Sequence, residues 1–115
     1  MVMRTVQNDF VGAWGLLAAG VLETARDHGW DSLQDPGRSI ALMHSELSEA
    51  LEGYREGNPP AEKLDGFSQV EEELADLVIR IMDHGAAHQY RIAEAMLAKM
   101  DLNRKRPHKH GGKLF

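Results

Sequence analysis

The sequence predicts an all-α chain, a bundle of four helices, and three observations carry that reading. Apolar residues recur at steps of three and four in four separate segments. Clusters of Asp, Pro, Gly, Ser and Asn punctuate the intervals between them. No segment alternates well enough to read as a strand.

The first helix is expected from about residue 8 to 28, with Asn8 as N-cap and Phe10, Trp14, Leu17, Val21, Leu22 and Ala25 on its buried side. Glycines at 12, 15 and 20 each cost up to about 1 kcal/mol against Ala. Gly29 supplies a C-terminal stop and leaves Trp30 just beyond it. The run DSLQDPGRS is turn-rich, so the second helix is expected to begin near Ser39 and to bury Ile40, Met43, Leu47, Ala50, Leu51 and Tyr54. GNPP ends it. Ser68 and Glu71 form a capping box for the third helix, whose stripe is Val70, Leu74, Leu77, Val78 and Ile81, ending near His88. Ile92, Ala95, Met96, Leu97 and Met100 mark a fourth helix that closes around Asn103, and Pro107 forbids its continuation.

A chain of 115 residues fits a single domain, 1–115, with a basic C-terminal tail from about 104 to 115. Several apolar stripes on so few helices predict that some are buried against another copy, so a homo-oligomer is expected. The absence of cysteine removes thiol chemistry and Cys-based zinc sites, and it suits a reducing, cytoplasmic location. No apolar run approaches the roughly 20 residues a membrane helix needs. The start, MVMRTVQNDF, carries no continuous apolar run with a cleavage site, so no signal peptide and no membrane partner are expected.

Charge is divided along the chain. From Lys99 to Phe115 six Lys or Arg stand against Asp101 alone, whereas residues 1–98 hold seven cations and 17 acids. Such an acidic body opposes broad contact with nucleic acid backbones, so nucleic acid is not an expected partner. An acidic body with a basic end suits an anionic ligand that arrives with divalent cations.

The segment HSELSEALEGYREG shows where those cations could sit. Glu46 and Glu49 border the apolar stripe about 60° apart on one helix, close enough to share a cation. Glu73 and Asp76 repeat the spacing on the third helix, to the same angular side of its stripe. Packing the two stripes together brings four carboxylates toward one cleft, where a hard, oxygen-seeking cation such as Mg²⁺ relieves their repulsion. The competing reading is ordinary solvated charge. Glu71 and Glu72 read as first-turn acids favoured by the helix dipole, and Glu52 and Glu56 as outer-face charge.

Other chemistries lack their residues. No Glu-x-x-His exists for a di-iron bundle, and no Gly-rich phosphate loop or Gly-x-Ser-x-Gly elbow is present. His84 and His88 in HGAAH have a zinc-gripping spacing without the metalloprotease glutamate, and they read as helix-surface histidines. Trp30 is either a ligand contact or an apolar C-cap contact.

The ordered blocks SELSEA, then EELAD beginning 23 residues after Glu49, then KMDLNRKRPHKHGGK resemble the MazG-like all-α nucleoside triphosphate pyrophosphohydrolases over roughly residues 39–113. The resemblance implies a four-helix MazG-like bundle completed as a homodimer or homotetramer. Its implied reaction is Mg²⁺-dependent hydrolysis of a nucleoside triphosphate, ribo or deoxy, to the monophosphate and pyrophosphate, with Mn²⁺ as a substitute metal. By that analogy Glu46, Glu49, Glu73 and Asp76 are the metal ligands and catalytic acids. Lys99, Asn103, Arg106, Lys109 and Lys113 would face the phosphate chain, in part across a subunit boundary. The implied role is nucleotide-pool housecleaning; the alternative is a catalytically weak nucleotide-binding or regulatory helical module.

Overall fold

The computed structural model describes residues 2–115. Five helices follow one another: α1 (Val2–Asp27), α2 (Pro36–Arg55), α3 (Gln69–Ala87), α4 (Ile92–Arg104) and a single turn, α5 (Lys109–Gly112). Among the described residues the only β feature is an isolated bridge between Pro60 and Ser68. Among the described residues no helix is long and apolar enough to cross a membrane.

Most helix starts and stops follow from local chemistry. Ser68 Oγ accepts from the Glu71 N–H at 3.2 Å while Glu71 Oε1 accepts from the Ser68 N–H at 3.1 Å, the expected capping box. At the end of α1, Gly29 takes φ 86°, its N–H donates to the Arg26 carbonyl at 2.9 Å, and the Trp30 N–H donates to the Ala25 carbonyl at 3.0 Å. This Schellman pattern recurs after α2 with Gly57 and after α3, where Gln89 holds the left-handed position at φ 59°.

Two starts differ from expectation. Asn8 lies within α1, which begins six residues earlier. Met3, Arg4 and Gln7 are good helix formers, and nothing before Asn8 breaks the chain. Helix α2 starts at Pro36 instead of Ser39 because Asp35 caps it, accepting from the Arg38 N–H at 3.1 Å, and Pro occupies a first-turn position where no N–H is needed. The basic C-terminal tail holds the short turn α5, with His110 and Gly111 in left-handed conformations.

Helix α3 is the spine, packed against both α1 and α2, while α4 touches α1. Val70, Met82, Ala18, Ala50 and Ala93 form the buried core. Close approach depends on small residues. A Cβ on Gly85 would stand 2.8 Å from Ile92 Cγ1, so a glycine there lets the chain reverse at Ile92, the first residue of α4, against the end of α3.

Burial of the apolar stripes is less complete than their spacing predicts. Leu17 is 62 % exposed, Leu51 57 % and Tyr54 65 %, and Ile40, Leu47, Leu74, Val78, Met96 and Met100 are also exposed. The chain presents 8990 Å² to solvent, against roughly 6300 Å² for a folded monomer of this mass. Its radius of gyration is 16.7 Å, where a compact domain of this length has roughly 13 Å. One copy has too few layers to cover every stripe.

Gly85→Ala is expected to destabilise the chain by about 1–3 kcal/mol through overpacking against Ile92. Urea unfolding of the variant beside the parent protein checks this.

Candidate metal centre

The α2–α3 contact places the acids. Glu46 is 7 % exposed although it is charged, because its position on α2 lies over α3. One oxygen each from Glu46, Glu49 and Glu73 lies within 4.8 Å of the others, the group of three that could hold a metal ion among the described residues. Asp76 stands outside that tightest group but lines the same cavity of about 440 Å³. Six glutamates and Asp76 line it, with Lys63 as its cation. Glu72, in the first turn of α3 as expected, and the exposed Glu56 also belong to that lining. Sequence spacing could not show this, since the wall they share is made by two helices.

Crowding acids away from water shifts their titration. Burial, with the neighbouring Glu49 and Glu46 carboxyls, raises the Glu73 pKa from 4.5 to about 8. Its Oε2 is buried and has no hydrogen-bond partner. A proton on Glu73 can be shared with Glu46 or Glu49, and a cation can take the place of that proton. Asp76 is also raised, by burial and then by the Glu46 charge, with Arg80 and Lys63 partly opposing. An all-oxygen donor set with an orphaned buried oxygen fits a hard divalent cation.

Arg80 is a member of the site that the sequence reading missed. Its Nε donates to Glu46 Oε1 at 2.8 Å, with the Arg80 side chain 40 % exposed. The available signal was its spacing: Arg80 follows Asp76 by four residues and Glu73 by seven, on one face of α3. Three residues further, the Asp83 carboxylate accepts from Ser32 Oγ at 2.8 and 2.7 Å.

A second cavity, about 1050 Å³, adjoins the first and shares Glu46 and Asp76 with it. Trp30 lines this larger space with its side chain 70 % exposed, so its Schellman position does not bury it as a C-cap contact. Arg38, Arg80, Ser32 and Asp83 line it too.

The basic block is not brought to the acids within one chain. Lys99, Asn103, Arg106, Lys109 and Lys113 are exposed and line neither cavity, because α4 packs on α1. Asp101 engages Arg104 and, at 2.9 Å, Lys105, and these pairs hold the Asp101 carboxyl below its usual range, Lys105 first.

His84 and His88 are half-buried instead of surface residues. Their ring centroids are 4.3 Å apart, and Tyr90 stacks on His88 at 5.2 Å. The fold-back of the chain after α3 covers them, which the i, i+4 spacing could not reveal. Burial, and then His88, lowers the His84 pKa, with Asp83 opposing.

No protein-family model, curated protein or solved structure matches the chain.

The Glu73 shift has a definite sign for stability. Between about 4.5 and about 8 the folded chain keeps a proton that the unfolded chain has released, so cation-free stability falls as pH rises through that window. Divalent cation is expected to offset the fall, raising Tm more at pH 8 than at pH 5. Calorimetry with and without Mg²⁺ checks it, and an equal effect at both values contradicts it.

Proposed function

We infer that the protein is a Mg²⁺-dependent nucleoside triphosphate pyrophosphohydrolase of the MazG-like type, acting as a homodimer or homotetramer in nucleotide-pool housecleaning. The convergence of the Glu46, Glu49 and Glu73 oxygens beside Asp76, at the junction of two cavities, is the observation that carries this reading.

Phosphoryl displacement needs an oriented water, an in-line leaving group and positive charge to offset what develops on phosphate oxygens. Bound divalent cations supply that charge and a more acidic water. Glu46, Glu49, Glu73 and Asp76 are the residues that hold them, with Mn²⁺ as a substitute for Mg²⁺. Rigid packing of α2 on α3 fixes these carboxylates before substrate arrives, and one that is ionised can accept a proton from the attacking water. The water oxygen joins phosphorus as the bond to the bridging oxygen breaks, which yields the monophosphate and pyrophosphate. Arg80, half exposed where the cavities meet, can exchange its Glu46 partner for a phosphate oxygen.

A second copy completes the site in this reading. The excess solvent-facing area and the exposed stripes of α1, α2 and α4 give it a surface to cover. Lys99, Asn103, Arg106, Lys109 and Lys113 then serve the acid cleft across the subunit boundary, where the three lysines and Arg106 neutralise the departing pyrophosphate and Asn103 donates hydrogen bonds to it. The one-chain acidic cavity has Lys63 as its cation, which leaves that task unfilled without them.

Pyrophosphate release from ribo- and deoxynucleoside triphosphates with Mg²⁺ tests the reaction. Glu49→Ala is expected to lower kcat/KM by roughly 10²–10³-fold. Tight binding without release, at any enzyme concentration, would favour a nucleotide sensor instead. Sedimentation equilibrium is expected to give a dimer or tetramer, and a monomer at micromolar concentration with full activity would remove the shared site.

A further inference from the structure

The larger cavity contains a feature that phosphate chemistry leaves unused. Asp83 sits seven residues along α3 from Asp76, roughly 10 Å of helix, which is about the reach of a nucleoside from its 5′ oxygen to the far edge of its base. Both aspartates line the cavity. Metal acids therefore stand at one end and a separate carboxylate at the other.

We propose that this cavity is the nucleobase half of the site, and that Asp83, oriented by Ser32, selects a base presenting two adjacent hydrogen-bond donors, the guanine edge. The proposal rests on the triphosphate reading above for its phosphate end.

Three observations support it. Ser32 is buried, and its hydroxyl oxygen lies 2.8 and 2.7 Å from the two Asp83 oxygens, between which it shares its single proton. That contact fixes the plane of the carboxylate while leaving each oxygen able to accept again. Asp83 has no ion pair among the described residues. A half-buried carboxylate with fixed orientation and spare acceptors, beside apolar Val21 and Ile79, is a receptor for paired donors.

Base chemistry then discriminates. Guanine offers N1–H and the N2 amino group side by side, matching two carboxylate oxygens. Uracil and thymine flank their single N3–H with carbonyls, which a carboxylate repels. Adenine and cytosine place an acceptor next to their one amino group. Trp30 presents an exposed ring at the cavity wall for stacking. Arg38 lines the same cavity and can donate to guanine O6 and N7 together, a paired acceptor edge that uracil, with O4 alone on that side, lacks.

The test uses the full-length protein. Guanosine and uridine 5′-monophosphates are titrated calorimetrically without metal, and kcat/KM is measured for dGTP and dUTP with Mg²⁺. Guanine is expected to be favoured at least about tenfold in both assays, because a site built for donors loses its pairing with the wrong edge. Asp83→Asn should cut that ratio at least about tenfold, chiefly through Kd and KM, since an amide offers one acceptor in place of two. Ser32→Ala, which leaves the carboxylate present but unfixed, should reduce the ratio in the same direction. A ratio near one in the parent protein overturns the proposal. So does a ratio unchanged by Ser32→Ala when Asp83→Asn fails to fold, or unchanged by both variants when both fold. Guanine-selective monophosphate binding without any pyrophosphate release would support the base site while removing the hydrolase reading. Equal release from all bases would do the reverse.

Discussion

The packing of α2 on α3 is the constraint from which the rest of the structure follows. It buries Ala50, Gly53 and Val70, and it also carries Glu46 almost out of solvent and sets Glu49 and Glu73 within reach of it. An apolar contact with no other purpose would not enclose mutually repelling acids. Their repulsion is held in the folded state by the surrounding hydrophobic contact, and it is expressed as the raised pKa of Glu73. A cluster held in this way could hold a metal ion without further rearrangement of the two helices.

The same contact organises the space around the acids. Because α1 and α2 both pack on α3, the cleft that the three helices line opens onto Glu46 and Asp76. The Schellman turn after α1 then projects Trp30 into the wall of that cleft. Arg80 stands at the junction, bonded to Glu46, where it neutralises part of the acidic field. Metal-binding carboxylates at one end and the Ser32-held Asp83 carboxylate further along α3 give the cleft a direction.

Incomplete burial is the other consequence of a small helical set. In one copy α3 packs against α1 and α2 while α4 packs on α1, so the four stripes do not meet in a single core. The leftover stripes on α1, α2 and α4 therefore remain at the surface of one copy. A covering subunit would both remove that apolar area from water and provide cations for the acid cleft.

The all-α class, the capping box at Ser68, the stop at Gly29 and the two acid pairs were legible in sequence because each depends on neighbours within about one helical turn. Asn8 and Ser39 misled as start signals because upstream residues, Met3 to Gln7 and Asp35–Pro36, were equally able to begin a helix. Tertiary structure alone decided that Glu46 is buried against Arg80, that Glu56 and Glu72 face the acidic cavity, that Ser32 fixes Asp83, and that His84 and His88 lie under the chain reversal. Each of these depends on which face of one helix meets another, a relation between residues distant in the chain. Local periodicity states that a face exists; only packing determines what stands opposite it.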